Sequence, residues 1–401
     1  MTKFTDNKKG FVPQFAMSAV LTLSFAGGAV ADNDSETVRL GLSVPLSGAA
    51  ALWGQGGDWM CNKAAEEIKN SGGVIVDGTT YNFECVSYDN KYNAAEGATV
   101  ARALLQREGV KFIGGSLGTA PVRALQSLSE RMGVLLFTTA WGNEIKGPEY
   151  PLTFTQMNTP LEILEPLISY IADAHPDAKT VSILNPNDAT GQQTEAVSKK
   201  VWKQEDLDVV SSDFYERGTT EYQPLALRIA KQSPDVVDLG ATPPADAGAI
   251  FKELDVLGWD GVKVVEVGTG AEGLKAIGGD SVEGVYMGAA VAFNGPNVTD
   301  HQKKVNNEAR KDLGESLNTV HIGFYDSLFA LKAAMEKSQS TDPKKVAEVM
   351  PSISFPSFYG SEVTFGGEET YGSPQQMMLP VIVTRIQDGE LVELDRINPK
   401  K

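Results

Sequence analysis

Short apolar runs with the rhythm of β-strands alternate with longer stretches in which apolar residues recur every three or four positions, and the alternation covers almost the whole chain. Strands separated by helix-length connections pair in parallel, with the helices on both faces of the sheet. The strand-like runs fall at residues 38–44, 81–88, 111–114, 134–138, 180–184, 208–214, 236–239, 262–267 and 284–290. Helical spacing predicts helices over 57–70, 93–107, 120–132, 162–174, 192–204, 220–232 and 245–257. Residues 38–138 and 180–267 each hold four strands in the same rhythm, which predicts two similar doubly wound α/β lobes separated near 154–160. A long helix over 321–338 and a strand-rich tail over 363–394 follow. The segments 379–386 and 389–394 flank Gln387-Asp388-Gly389, the signature of an antiparallel pair added at a lobe edge. Ligands of open α/β sheets bind beyond the carboxyl ends of the strands, so two such lobes predict a cleft with the ligand inside it.

The first residues obey a different rule. Lys3, Lys8 and Lys9 precede an apolar stretch over 11–30 that ends in Ala29-Val30-Ala31, before the polar run Asp32-Asn33-Asp34-Ser35-Glu36. This layout is that of an export signal, residues 1–31, cut after Ala31. A retained membrane anchor is the alternative, weakened by Pro13, Gln14 and Gly27-Gly28 within the apolar stretch. Loss of the signal changes the net charge from −17 to about −19, which disfavours nucleic acid and anionic lipid as partners because both need a basic footprint. About 370 residues then remain, more than one core comfortably serves. Cys61 and Cys85 are the only cysteines; past an export signal they read as a disulfide, with two buried free thiols as the alternative.

Little in the chain suits catalysis. His175, His301 and His321 are far apart and away from the cysteines, and no G-x-x-x-x-G-K-[ST] phosphate loop occurs. Gly268-Thr269-Gly270-Ala271-Glu272-Gly273 has the form of a dinucleotide fingerprint after a strand, yet the acidic residue required about twenty positions on is missing from 288–294. Those glycines read instead as a tight turn that lets backbone approach a ligand or the facing lobe. No cofactor, metal or enzymatic activity is expected.

Several motifs, in order along the chain, carry a family resemblance. They are Val38-Arg39-Leu40-Gly41-Leu42-Ser43-Val44-Pro45-Leu46-Ser47-Gly48, Asn70-Ser71-Gly72-Gly73-Val74, Tyr88-Asp89-Asn90-Lys91-Tyr92-Asn93, Phe112-Ile113-Gly114-Gly115, Phe324-Tyr325-Asp326-Ser327, Ser340-Thr341-Asp342-Pro343, and Tyr359-Gly360 leading to Val363-Thr364-Phe365-Gly366. With them the chain resembles the leucine/isoleucine/valine-type solute-binding proteins of ABC importers. The resemblance implies the type I periplasmic-binding fold, two Rossmann-like lobes joined by a three-segment hinge. Crossings near 154–157, 287–293 and 354–359 give one lobe of 32–155 plus 290–356 and a second of 156–289 plus 357–401. It also implies a periplasmic or otherwise extracytoplasmic monomer that closes on a small-molecule solute, such as an amino acid or related carboxylate, and presents it to a membrane permease. A sensor feeding a signalling partner and a binder of aromatic or other organic acids remain open as alternatives.

The same resemblance supplies site residues. Thr119 matches a carboxylate-binding hydroxyl at a helix start, where free N–H groups and the positive dipole end favour an anion; the competing role is a plain N-cap. Ala140 matches a backbone carbonyl that receives an ammonium, with Trp141 beside it. Gly142 stands where the family has a second hydroxyl, a loss for which Thr139 or Asn143 could compensate. Trp53 matches an aromatic wall, while Thr190 and Thr242 stand where the family has tyrosines. Glu266 falls near the acidic partner of the ammonium, with Glu272 as the alternate, and Tyr325 is a further wall candidate. Cys61 and Cys85 would be neighbours in this fold.

Overall fold

The computed structural model describes residues 35–399 except Val267, Gly268 and Asn297, so the expected export signal lies outside the described residues. The described strands form two separate sheets. Across the first, the order is Ser354–Pro356, Glu362–Gly366, Gln376–Met377, Thr153–Thr155, Leu135–Thr138, Phe112–Ser116, Glu36–Val44, Thr79–Asp89 and Val74–Val76. Across the second it is Glu390–Ile397, Val381–Gln387, Tyr286–Met287, Val262–Val265, Val236–Asp238, Thr180–Pro186 and Asp208–Tyr215. In each sheet the interior pairings are parallel and antiparallel strands are added at the edges. This is the expected α/β architecture, with the central strands buried because helices cover both faces.

The chain passes between sheets after Thr155 and after Met287, close to where the hinge motifs put it. The third passage corrects the expectation. Glu362–Gly366 pairs with Gln376–Met377, and Gln376 pairs with Thr155, so both strands belong to the first sheet. Lys146 Nζ donates to Gln376 Oε1 at 2.6 Å and ties that strand in place. The crossing therefore falls between Met377 and Val381 instead of near 354–359, and most of 357–401 up to Met377 stays with the first sheet. The predicted final hairpin is present, with Asp388 and Gly389 both left-handed (φ 52° and 72°), the backbone a two-residue turn between twisted strands requires.

The first helix also departs from its expected start. It covers Ala51–Asn70, beginning before Trp53 and running straight through Gly54, Gly56 and Gly57. Glycine is a poor helix former, and here close packing overrides propensity. A Cβ at Gly56 would lie 2.3 Å from the His321 ring and one at Gly57 would lie 2.8 Å from Phe324, both on the helix Thr319–Ser338. The bare backbone lets the two helices meet. Cys61 on this helix is bonded to Cys85 on Thr79–Asp89, with Cα atoms 6.3 Å apart. Loop-closure entropy makes such a link worth roughly 3 kcal/mol.

Candidate functional site

The carboxyl ends of the two sheets face each other, and the residues between them enclose a small cavity of about 30 Å³. The strand Phe112–Ser116 runs into Leu117 and Gly118, and the helix Thr119–Met132 begins there. Gly118, at φ 92°, occupies the cap position and has no side chain to satisfy the first N–H groups. Thr119 is thus the first helical residue and not the N-cap, which frees its hydroxyl. That hydroxyl lies 3.1 Å from Thr190 Oγ1, which comes from the second sheet's side on the helix Ala189–Gln204. Unsatisfied N–H groups and the positive end of the helix dipole make this corner suited to an anion.

Three large rings from the first sheet's side line the space: Trp53, Tyr92 and Trp141. Trp53 reaches across and donates from Nε1 to Thr269 Oγ1 at 2.6 Å. Tyr92 is held in left-handed backbone (φ 57°) after Lys91 in the same conformation (φ 48°). Asn90 holds that turn: its Oδ1 accepts from Tyr92 N at 2.8 Å, and its Nδ2 donates to Ser43 O at 2.9 Å and Leu117 O at 3.0 Å. A strained backbone fastened this way projects the Tyr92 ring across the cleft. Its hydroxyl lies 3.3 Å from Thr190 Oγ1, and Arg217, paired with Asp188, covers its face at 4.7 Å. Thr139, Ala140, Met157, Ala241 and Val320 complete the lining, and no acidic side chain is among the described lining residues.

Trp53, Thr119, Ala140, Trp141 and Thr190 therefore line one cavity. Ala140 N is engaged by Thr138 Oγ1 at 2.9 Å, while Thr139 Oγ1 donates to Ser116 O at 3.2 Å. Gly142 sits just behind the lining. A Cβ there would come within 2.6 Å of the Thr119 Cγ2 methyl, so the methyl of threonine occupies the room that a side chain at 142 would need. Thr242 is buried next to Ala241 and does not line the cavity. Tyr325 does not line the cavity; it is buried, stacked on Phe329 and donating to Glu67 Oε2 at 2.6 Å.

Glu266 is not in the cleft. Its carboxyl is fully buried within the second lobe, where Oε1 accepts from Ser198 Oγ at 2.6 Å and Asp238 lies alongside. Burial, reinforced by the neighbouring Asp238 carboxyl, holds Glu266 well above the usual carboxylate range. Asp238 in turn accepts from Trp202 Nε1 at 2.8 Å and Gly240 N at 2.9 Å. Tyr92 is the lining residue the sequence reading quoted in a motif but gave no role; its signal was the Asn90-Lys91-Tyr92 turn.

A profile described as "Periplasmic binding protein" matches residues 37–390. The chain belongs to that family. Among its relatives is the leucine-, isoleucine-, valine-, threonine- and alanine-binding protein of Pseudomonas aeruginosa, 24% identical over 337 residues, covering 83% of this chain and 87% of the relative. A Leu/Ile/Val-binding protein of Rhizobium johnstonii is 23% identical over 367 residues, covering 89% and 92%. The binding-protein fold is shared with an ABC-transporter solute-binding protein from R. palustris solved in complex with 4-hydroxybenzoate, with TM-score 0.75, 23% identity, and coverage of 91% of this chain and 98% of that one. A leucine-binding protein from Thermotoga maritima gives TM-score 0.74 at 18% identity, covering 90% and 99%. The chain is thus a periplasmic binding protein of the type I fold.

Proposed function

We propose that this binding protein captures a small carboxylic acid with an aromatic or other apolar body outside the cytoplasm, closes its two lobes on it, and presents it as a monomer to the membrane permease of an ABC importer. Residues 1–31 direct its export. The carrying observation is the cavity lining: an uncapped helix start and two threonine hydroxyls at one corner, three large rings around the body, and no carboxylate among the described lining residues. An anion finds donors there, and the ammonium of an α-amino acid finds no acidic partner, because Glu266 is turned into the second lobe. A solute that touches both walls stabilises the closed arrangement over the open one, which is what a carrier delivering to a permease requires. The R. palustris neighbour solved with 4-hydroxybenzoate supports this choice.

A second reading, an aliphatic amino acid, is favoured by the names of the Pseudomonas aeruginosa and Rhizobium johnstonii relatives. Thermal denaturation of residues 32–401 with benzoate, 4-hydroxybenzoate, leucine or isoleucine separates the two. Ligand at a hundred times its dissociation constant adds about 2.7 kcal/mol to stability, a readily measured rise in melting temperature. We expect the rise with the aromatic acids. A rise with leucine or isoleucine alone rejects the organic-acid assignment in favour of the second reading.

A further inference from the structure

The structure gives the described residues of the glycine-rich turn over 268–273 an occupant. Glu315, in the connection between the helices Asp300–Leu313 and Thr319–Ser338, lays its carboxyl flush on the turn: a Cβ at Gly270 would lie 2.1 Å from its Oε1, and one at Gly273 would lie 3.4 Å from its Oε2. The two sides belong to different lobes. The helix Asp300–Leu313 is fastened to the first-sheet side by Lys63 to Glu308 at 2.8 Å, Trp59 to Asp312 at 3.0 Å and Gln302 to the Phe358 carbonyl at 2.6 Å. The turn follows Val262–Val265 of the second sheet and leads into the helix Ala271–Gly278. Trp53 to Thr269 and Ser316 Oγ to Glu272 Oε1 at 2.6 Å join the same seam.

Two carboxyls thus meet where the lobes touch. Glu315 is 2% exposed, and one oxygen of Glu315 and one of Glu272 are buried and accept no hydrogen bond. We propose that this seam is a proton-linked latch: closing the lobes buries Glu315 against the glycines beside Glu272, so closure takes up a proton and is favoured as pH falls. Among the described residues no cation pairs with Glu315. Arg310 lies 3.5 Å from the other oxygen of Glu272, Lys275 donates to the Gly389 carbonyl, and Asp312 accepts from Trp59. His321, on the following helix, is turned to the Leu52 carbonyl at 3.1 Å. Burial, with the Glu272 carboxylate second, raises Glu315 to about 7. A cavity of about 300 Å³ lined by Glu272, Arg310 and Ser316 opens beside the seam.

The sign follows from linkage. In the open form Glu315 is solvated and titrates as an ordinary carboxyl, so the closed form binds the extra proton between the two values. Its advantage is complete below the open-form value and is lost as pH rises towards 7. From about pH 5 to about pH 7.5 the closed-to-open ratio falls by up to about fiftyfold.

Small-angle scattering of the ligand-free protein tests this without any solute, and so independently of the proposed function. The radius of gyration should increase between about pH 5 and pH 7.5 in the unaltered protein. In Glu315→Gln, an uncharged replacement, it should stay at the compact value at both. Glu272→Gln should keep the response but move it to lower pH, since one source of the raised titration is gone. A radius that does not change with pH in the unaltered protein, or a Glu315→Gln protein that still responds as the unaltered one does, overturns the proposal.

Discussion

The cleft wall that comes from the first sheet is made of an uncapped helix start and three large rings, whereas the wall from the second sheet offers little more than Thr190 and Ala241, a hydroxyl and a methyl. The first wall also rests on a disulfide-fastened helix and on the Asn90-held turn. The difference teaches a division of labour. Under the proposed function, one lobe recognises the solute, and the other closes over it and adds few contacts of its own.

Removing a ring from the recognising wall should have the largest effect on binding. Trp53→Ala loses a buried ring and its bond to Thr269, and calorimetry with the aromatic acid should show roughly a hundredfold weaker binding, about 3 kcal/mol. A loss under threefold would break the asymmetry. Replacing Cys61 and Cys85 by serine removes the fastening of that same wall; urea unfolding should report about 3 kcal/mol less stability, with affinity at low temperature little changed.

The closing wall should be more forgiving. Thr190→Val keeps the shape and deletes a hydroxyl that meets both Thr119 and Tyr92, for an expected loss of about 1 kcal/mol, or fivefold, in the same titration. Smallest of all is Glu266→Gln, where affinity should change less than threefold because the carboxyl faces Ser198 and Asp238. Its effect appears in stability against pH instead. The folded value of Glu266 is raised, so its contribution is present at acid pH and is lost as pH rises through that value; melting curves of the variant should decline less towards alkaline pH. A tenfold affinity loss in this variant would return Glu266 to the cleft.

Sequence periodicity makes the α/β alternation and both inner sheets readable, because buried parallel strands need continuous apolar runs and their helices need a spaced stripe. Trp53, Thr119, Ala140, Trp141 and Thr190 were legible through motifs that fix strand-end turns. The misses share a cause, since each depends on contacts distant in sequence. Whether Glu266 faces cleft or core turns on where its strand stops, at Val265, and an apolar run does not announce its last residue. The strands Glu362–Gly366 and Gln376–Met377 join the first sheet through pairing with each other and with Thr155. Tyr92 owes its place to a left-handed backbone that aromatic residues ordinarily avoid, made tolerable by Asn90. The first helix starts early because His321 and Phe324, some 265 residues away, need bare glycine beside them.

The order in which the sheets are completed has a bearing on the chain's life before it folds. The first sheet takes its last strands from Ser354–Met377 and the second takes an edge pair from Val381–Ile397, so the final segment of the polypeptide contributes to both. During synthesis neither sheet can reach its full set of partners until that segment has emerged.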